Sequence, residues 1–155
     1  MNPLSKLIFE LSKLPGIGEK SATRLAYYIL NQDNDYADSL AAALVNAKQK
    51  LKYCAECFNF SEHEKCDICE DSKRDHNLIC VVERPSDVTP IEKTGSYRGV
   101  YHVLHGLLSP LDGVGPEDIR IKELLVRLKT KEVNEIIFVL NPSVEGEATG
   151  MYLSR

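Results

Sequence analysis

Apolar positions recur at helical spacing near the start of the chain and give way to unbroken apolar runs beyond Asn77. Leu4, Leu7, Ile8, Leu11 and Leu14 share one helical face, with Asn2-Pro3 supplying a cap and a first position. Pro15-Gly16-Ile17-Gly18 then breaks the period. A second helix follows with Ala22, Leu25, Ala26 and Ile29 on one face. A third runs from about Asp35 to Lys52, with Leu40, Ala43, Leu44, Ala47 and Leu51 turned inward. The expectation is a small helical bundle with one tight turn, in which Tyr27 and Tyr28 fit the core and rim of the second helix better than a base-stacking platform.

The stretch from Cys54 to Cys69 is short and acidic and cannot build a core of its own, and Glu70 to Asp75 reads as a polar linker. Leu78 to Val82 is a continuous apolar run suited to a strand buried on both faces. Gly99 to Leu104 is a weaker strand candidate. Pro116 to Lys129 predicts a helix through Ile119, Leu124, Leu125 and Leu128, and Glu135 to Leu140 another buried strand. Strand alternating with helix implies a mainly parallel sheet. The fold class expected is therefore α+β and multi-module: a helical domain over residues 1–53, a four-cysteine module over 54–76 and an α/β domain over 77–155.

Composition narrows the classes. The chain has 155 residues, 43% apolar and 27% charged, which excludes collagen-like, mucin-like and wholly disordered chains. No apolar run reaches the roughly 18 residues of a membrane-spanning helix. The amphipathic N-terminus does not read as an export signal, so a cytoplasmic protein is expected. A net charge of −4 provides no global basic field, and nucleic-acid binding would need a local patch. Residues 1–53 carry 7 basic and 5 acidic groups and form the one net positive region; 54–75 carry 3 and 7, and 76–155 carry 9 and 11.

Five cysteines without an export signal point to metal or redox chemistry. Cys54-Ala-Glu-Cys57 and Cys66-Asp-Ile-Cys69 form two C-x-x-C turns, each aiming two thiolates at one point. A redox dithiol needs one such turn; two complete a tetrahedral zinc site with no open position for catalysis. Metal binding would then supply the folding free energy of the module. Cys80 lies outside the pattern as an inert core thiol.

Two further constellations carry chemistry. In Leu14-Pro15-Gly16-Ile17-Gly18-Glu19-Lys20-Ser21-Ala22, Gly16 and Gly18 allow a tight turn that bares backbone N–H groups at a helix N-terminus, a geometry that binds an anion such as a DNA phosphate. Lys20 and Arg24, four residues apart, project from one face of the following helix. The same residues are also compatible with a plain helix turn and two solvated cations. The second constellation lies beyond the strand ends, where parallel sheets gather ligands. There Glu83, Glu145 and Glu147 would converge on Mg²⁺, or would simply solvate the ends of their strands. His102 and His105 read as hydrogen-bonded structure rather than catalytic groups. Tyr97 and Arg98 sit in a glycine-bounded loop open to partner contact.

The glycine turn resembles a helix-hairpin-helix, which grips DNA backbone without reading bases. The strand-end acids resemble a Toprim domain, whose pattern is a glutamate after the first strand, then Asp-x-Asp and a Gly-Glu. Glu83 and Gly146-Glu147 fit that pattern, whereas Asn141 and Ser143 replace the Asp-x-Asp carboxylates. Helix-hairpin-helix, four-cysteine module and degenerate Toprim, in that order, resemble the RecR family of bacterial recombination mediators. The motifs are LPGIGEKSATRLA, CAEC/CDIC, CVVERPSDV, YHVLHGLLSPLDGVGPEDI and NPSVEGEATGMYL, which span nearly the whole chain. The resemblance implies a non-catalytic DNA-repair factor that acts with RecO and RecF to help load RecA at single-strand gaps. It implies backbone contacts to single- and double-stranded DNA through Lys20, Arg24, Gly16 and Gly18, and structural zinc on the four cysteines. Glu83, Glu145 and Glu147 would form a partner surface where Mg²⁺ binds weakly if at all. It further implies a dimer or ring tetramer, a nucleoid-associated cytoplasmic location with no membrane contact, and a family chain that usually continues past Arg155. The rival reading is a Mg²⁺-dependent Toprim nuclease or topoisomerase-like enzyme.

Overall fold

The computed structural model describes residues 2–155, which form two compact units that divide between Lys50 and Leu51. The first holds α1 (Pro3–Ser12), α2 (Glu19–Leu30) and α3 (Asn34–Lys50). Asn2 Oδ1 accepts from Ser5 N at 2.7 Å and Pro3 begins the helix, so α1 starts as its sequence requires. Ala22 and Ala26 of α2 are fully buried, their small side chains allowing a close approach to the neighbouring helix.

Two expectations fail in this unit. The pattern turns Leu40, Ala43, Leu44 and Ala47 inward, yet α3 buries none of its residues, and Leu44 is 66% exposed. Leu51, expected on the same face, lies past the helix end as the first residue of the second unit and is 40% exposed. Tyr27 and Tyr28, expected at core and rim, are 53% and 54% exposed. The physical reason is shared. The alanine face of α2 is its buried one, and so short a segment has too little chain to enclose a second apolar face.

The second unit opens with the antiparallel pair β1 (Lys52–Tyr53) and β2 (Phe60–Ser61), followed by α4 (Asp67–Glu70). It continues through β3 (Asp75–Val82), α5 (Val88–Lys93), β4 (Gly99–Val103), α6 (Ile121–Thr130), β5 (Glu135–Val139) and α7 (Val144–Leu153). The sheet is parallel, in the order β4-β3-β5. Central β3 is buried on both faces, as its sequence predicts. Ile79 and Val81 join Leu104, Ile121 and Leu124 in one cluster, and Cys80 and Val82 join Tyr101 and Val103 in the other. Burial pushes the Cys80 thiol up to about 11, so it stays protonated and inert.

Boundaries differ at two places. β3 begins at Asp75, inside the expected linker, because Asp75 N donates to Arg98 O at 2.8 Å. Helix α6 begins at Ile121 rather than Pro116. Gly115 N donates to Asp118 Oδ2 and Arg120 N donates to Leu104 O, both at 2.8 Å, and these bonds turn the preceding residues away from the helix. No helix among the described residues is long and apolar enough to cross a membrane.

Candidate functional site

The metal-ligating geometry is local in origin. β1 delivers Cys54 into a turn in which Phe58 N donates to Cys54 O at 3.0 Å, and Cys66 and Cys69 sit at the start and in the body of α4. The four cysteines are buried and their sulfurs lie within 4.8 Å of one another. Glu56 N and Cys66 N both donate to Cys54 Sγ, at 3.4 and 3.3 Å. Hydrogen bonds from Cys57 and Cys69 pull Cys66 down to about 2, while the same pairing pushes Cys57 and Cys69 up. Four thiolates arranged tetrahedrally suit structural zinc.

The zinc turns are tied to the sheet beside them. Cys57 O accepts from Val103 N at 2.8 Å, and Phe58 O pairs with His105 Nε2 at 2.7 Å. Phe58 and His105 both hold left-handed backbone, with φ of 64° and 59°. Glu56, between the first two ligands, accepts from Arg127 at 3.4 Å, pairs with Lys65 at 3.1 Å and contacts Lys131. Burial raises the Glu56 carboxyl, but hydrogen bonds from Lys131 and Lys65 and the Arg127 charge outweigh it and hold the group below its ordinary value. Arg127 is itself buried and donates through Nη1 to Tyr101 O at 2.6 Å. Neither Glu56 nor Arg127 is evident as a site residue in the sequence. The one available signal is an arginine three residues beyond Leu124 on the buried stripe of α6.

His102 and His105 each hydrogen-bond to a main-chain carbonyl. His102 is fully buried and its Nε2 donates to Arg120 O at 2.8 Å. Desolvation pushes it down to about 4, so it is neutral at pH 7. An unfolded histidine takes up a proton near pH 6.5, and the unfolded state therefore binds more protons between about pH 6.5 and 4. Stability should fall as pH drops through that window, by roughly 3 kcal/mol in full from this group. His102→Asn, which keeps a donor for the Arg120 carbonyl, should flatten the slope. Urea unfolding of both proteins at pH 7 and pH 5 checks it, and parallel slopes would refute it.

In the first unit, Pro15-Gly16 forms a turn closed by Ile17 N donating to Leu14 O at 3.0 Å. Gly16 takes φ +79°, the conformation glycine supplies at the third position of such a turn. Gly18 caps α2 without a side-chain hydrogen bond, which leaves the first N–H groups of the helix without a side-chain acceptor. Lys20 and Arg24 are exposed, and the ion pair of this unit among the described residues joins Lys13 to Glu10.

The strand-end acids are only partly gathered. Glu83 is buried at the end of β3, its Oε1 accepting from Arg84 Nε at 3.2 Å. It lines a cavity of about 310 Å³ with Asp87 and Asn141. Glu145 and Glu147 stand in the first turn of α7, whose cap Ser143 Oγ accepts from Gly146 N at 3.1 Å. Among the described residues, the group of three or more close metal-ligating atoms is the cysteine set, and Glu83, Glu145 and Glu147 do not form another.

Family models match the chain in three consecutive segments. They are a RecR helix-hairpin-helix over residues 4–48, a RecR four-cysteine zinc finger domain over 51–71, and a Toprim domain over 77–155, about half of the chain.

Proposed function

This chain belongs to the RecR family, with a Toprim domain as its largest part, and from that premise we propose a DNA-binding, non-catalytic factor working with RecO and RecF to promote RecA loading at single-strand gaps. The domain set supports a role in recombinational repair, and it suggests binding to DNA rather than catalysis. The observation that carries the DNA reading is the glycine-bent start of α2, where uncapped N–H groups and the exposed Lys20 and Arg24 offer an anion site to solvent. In this reading the amides of the Gly16–Gly18 loop and the two cations hold backbone phosphates of single- or double-stranded DNA. Residues 1–53, 54–76 and 77–155 act as DNA-binding, zinc and Toprim domains. DNA association places the protein at the nucleoid.

Lys20→Ala/Arg24→Ala should remain folded and lose roughly tenfold or more in DNA affinity at low salt. The slope of log affinity against log salt should shrink by about 2, one for each phosphate no longer neutralised. Fluorescence anisotropy across a salt series measures both. Unchanged affinity would overturn the assignment.

Asn141 and Ser143 leave the Toprim cavity short of the carboxylates that two-metal phosphoryl chemistry uses. We assign the surface around Glu83, Glu145 and Glu147 to partner docking. Mg²⁺-dependent nicking of plasmid that disappears in Glu83→Gln would replace this reading with the enzymatic one. The exposed Leu40, Leu44 and Val45 of α3 support a second copy of the chain as their cover, within a dimer or ring. Native mass with zinc content, with and without DNA, tests that assembly.

A further inference from the structure

Helix α2 presents more than two cations. At 3.6 residues per turn, Lys20, Arg24, Tyr27, Tyr28 and Asn31 fall within an arc of roughly 100°, diametrically away from the buried Ala22 and Ala26. The stripe is about 16 Å long. Arg24, Tyr27, Tyr28 and Asn31 line one groove of about 690 Å³. Both tyrosines are more than half exposed, and Tyr28 stands edge-on to Tyr36, ring centroids 6.0 Å apart at 84°, which fixes its orientation. Glu19, the acid nearest in sequence, is turned away from Lys20 by about 100° and lies off the stripe.

A backbone-gripping turn alone treats single and double strands alike, because phosphates are common to both. An aromatic pair one turn beyond the phosphate-binding cations adds a surface that only unpaired bases can use. In a duplex those base faces are already stacked on each other. We propose that Tyr27 and Tyr28 form a base-stacking platform continuous with Lys20 and Arg24, so that α2 binds single-stranded DNA in preference to duplex. The proposal rests on the DNA reading above and adds to it the kind of strand that is held. Phosphates sit on Lys20 and Arg24, and one or two bases lie against the phenol rings.

The test uses the full chain, a labelled single-stranded oligonucleotide, the same sequence as duplex, and a strand with an abasic stretch. Tyr27→Ala/Tyr28→Ala should lose about tenfold or more in single-strand affinity, the scale of one missing stack, while duplex affinity stays within about twofold. Tyr27→Phe/Tyr28→Phe, which keeps the rings, should bind as the original protein does. The abasic strand should bind the original protein as weakly as the intact strand binds the alanine variant. Equal losses on single strand and duplex, no loss on either, or a change in native mass in the alanine variant would overturn the proposal. A native-mass change would identify the tyrosines as an interface between copies. Failure of the tyrosine variants with Lys20→Ala/Arg24→Ala still defective leaves the phosphate grip standing. If the cation variant binds DNA normally, the parent reading falls as well.

Discussion

Cys57→Ser should cost the second unit its metal and on the order of 5 kcal/mol or more of stability, well beyond the hairpin that carries the mutation. Zinc binding supplies roughly 10 kcal/mol or more of folding free energy in small four-ligand modules, and the stretch from Cys54 to Cys69 has no apolar core to replace it. The damage spreads through bonds to the sheet. When the Cys57 turn unravels, Val103 N loses the carbonyl it donates to, and His105 loses Phe58 O. The orphaned Val103 N–H, which is buried, costs about 1–3 kcal/mol. Withdrawal of Glu56 removes the carboxylate facing Arg127, which is buried in α6, and an uncompensated buried charge costs roughly 3–5 kcal/mol. These terms share partners and do not simply add. Chelator titration followed by circular dichroism and thermal melting measures the loss, and amide exchange at Val103 locates it. Cys80→Ala serves as the control, since that thiol lies in the sheet core outside the cluster and its removal should leave zinc content unchanged. A metal-free protein whose sheet melts at the original temperature would show that hairpin and sheet are energetically independent.

Those same bonds mark where the sequence is readable and where it is not. Leu4, Leu7, Ile8 and Leu11 announce α1 because helical period is a local property, and the two C-x-x-C turns announce the zinc set because each turn builds half the site within four residues. The Leu78–Val82 run reads as a doubly buried strand, and it is one, with Ile79 and Val81 on one face and Cys80 and Val82 on the other. Longer-range facts leave no local trace. Arg127 and Glu56 are 71 residues apart, so neither predicts the other. The start of α6 depends on Arg120 N reaching Leu104 O, which pattern alone does not reveal. Amphipathicity tells which face of α3 is apolar but not whether anything in the chain covers it, and Leu44 stands exposed. Tyr27 and Tyr28 escape the pattern for the same reason: aromatic character suggests burial, while the alanines of α2 occupy the packed face. For Glu83, Glu145 and Glu147, strand order fixes the end of the sheet they occupy, but side-chain separation depends on how α7 is set against β5.

That setting is controlled by one glycine, and Gly146→Ala is expected to destabilise the protein by roughly 2–4 kcal/mol. A Cβ at this position would stand 1.9 Å from Asn141 O and 3.0 Å from Asn141 C. The obstacle is main chain and cannot rotate aside, so α7 itself must move. Movement strains the cap in which Ser143 Oγ accepts from Gly146 N. It also pulls on Thr149, whose hydroxyl accepts from Leu108 N at 2.9 Å and donates to Glu145 O at 2.6 Å. Gly150, one turn later in the same helix, has nothing within 4 Å of a built Cβ. Gly150→Ala should therefore stabilise by about 0.5–1 kcal/mol, the ordinary gain of replacing a helical glycine. The opposite signs separate close packing from helix propensity, because the two substitutions are chemically identical and share one helix. Urea midpoints at unchanged m-value measure both. If the two variants shift together, the approach of α7 to the Asn141 carbonyl is not what requires glycine in the Gly146-Glu147 pair. If they diverge as expected, the glycine of the Toprim pattern is there to let the helix bearing Glu145 and Glu147 lie against the end of β5, and its requirement survives although Asn141 and Ser143 have replaced the two carboxylates.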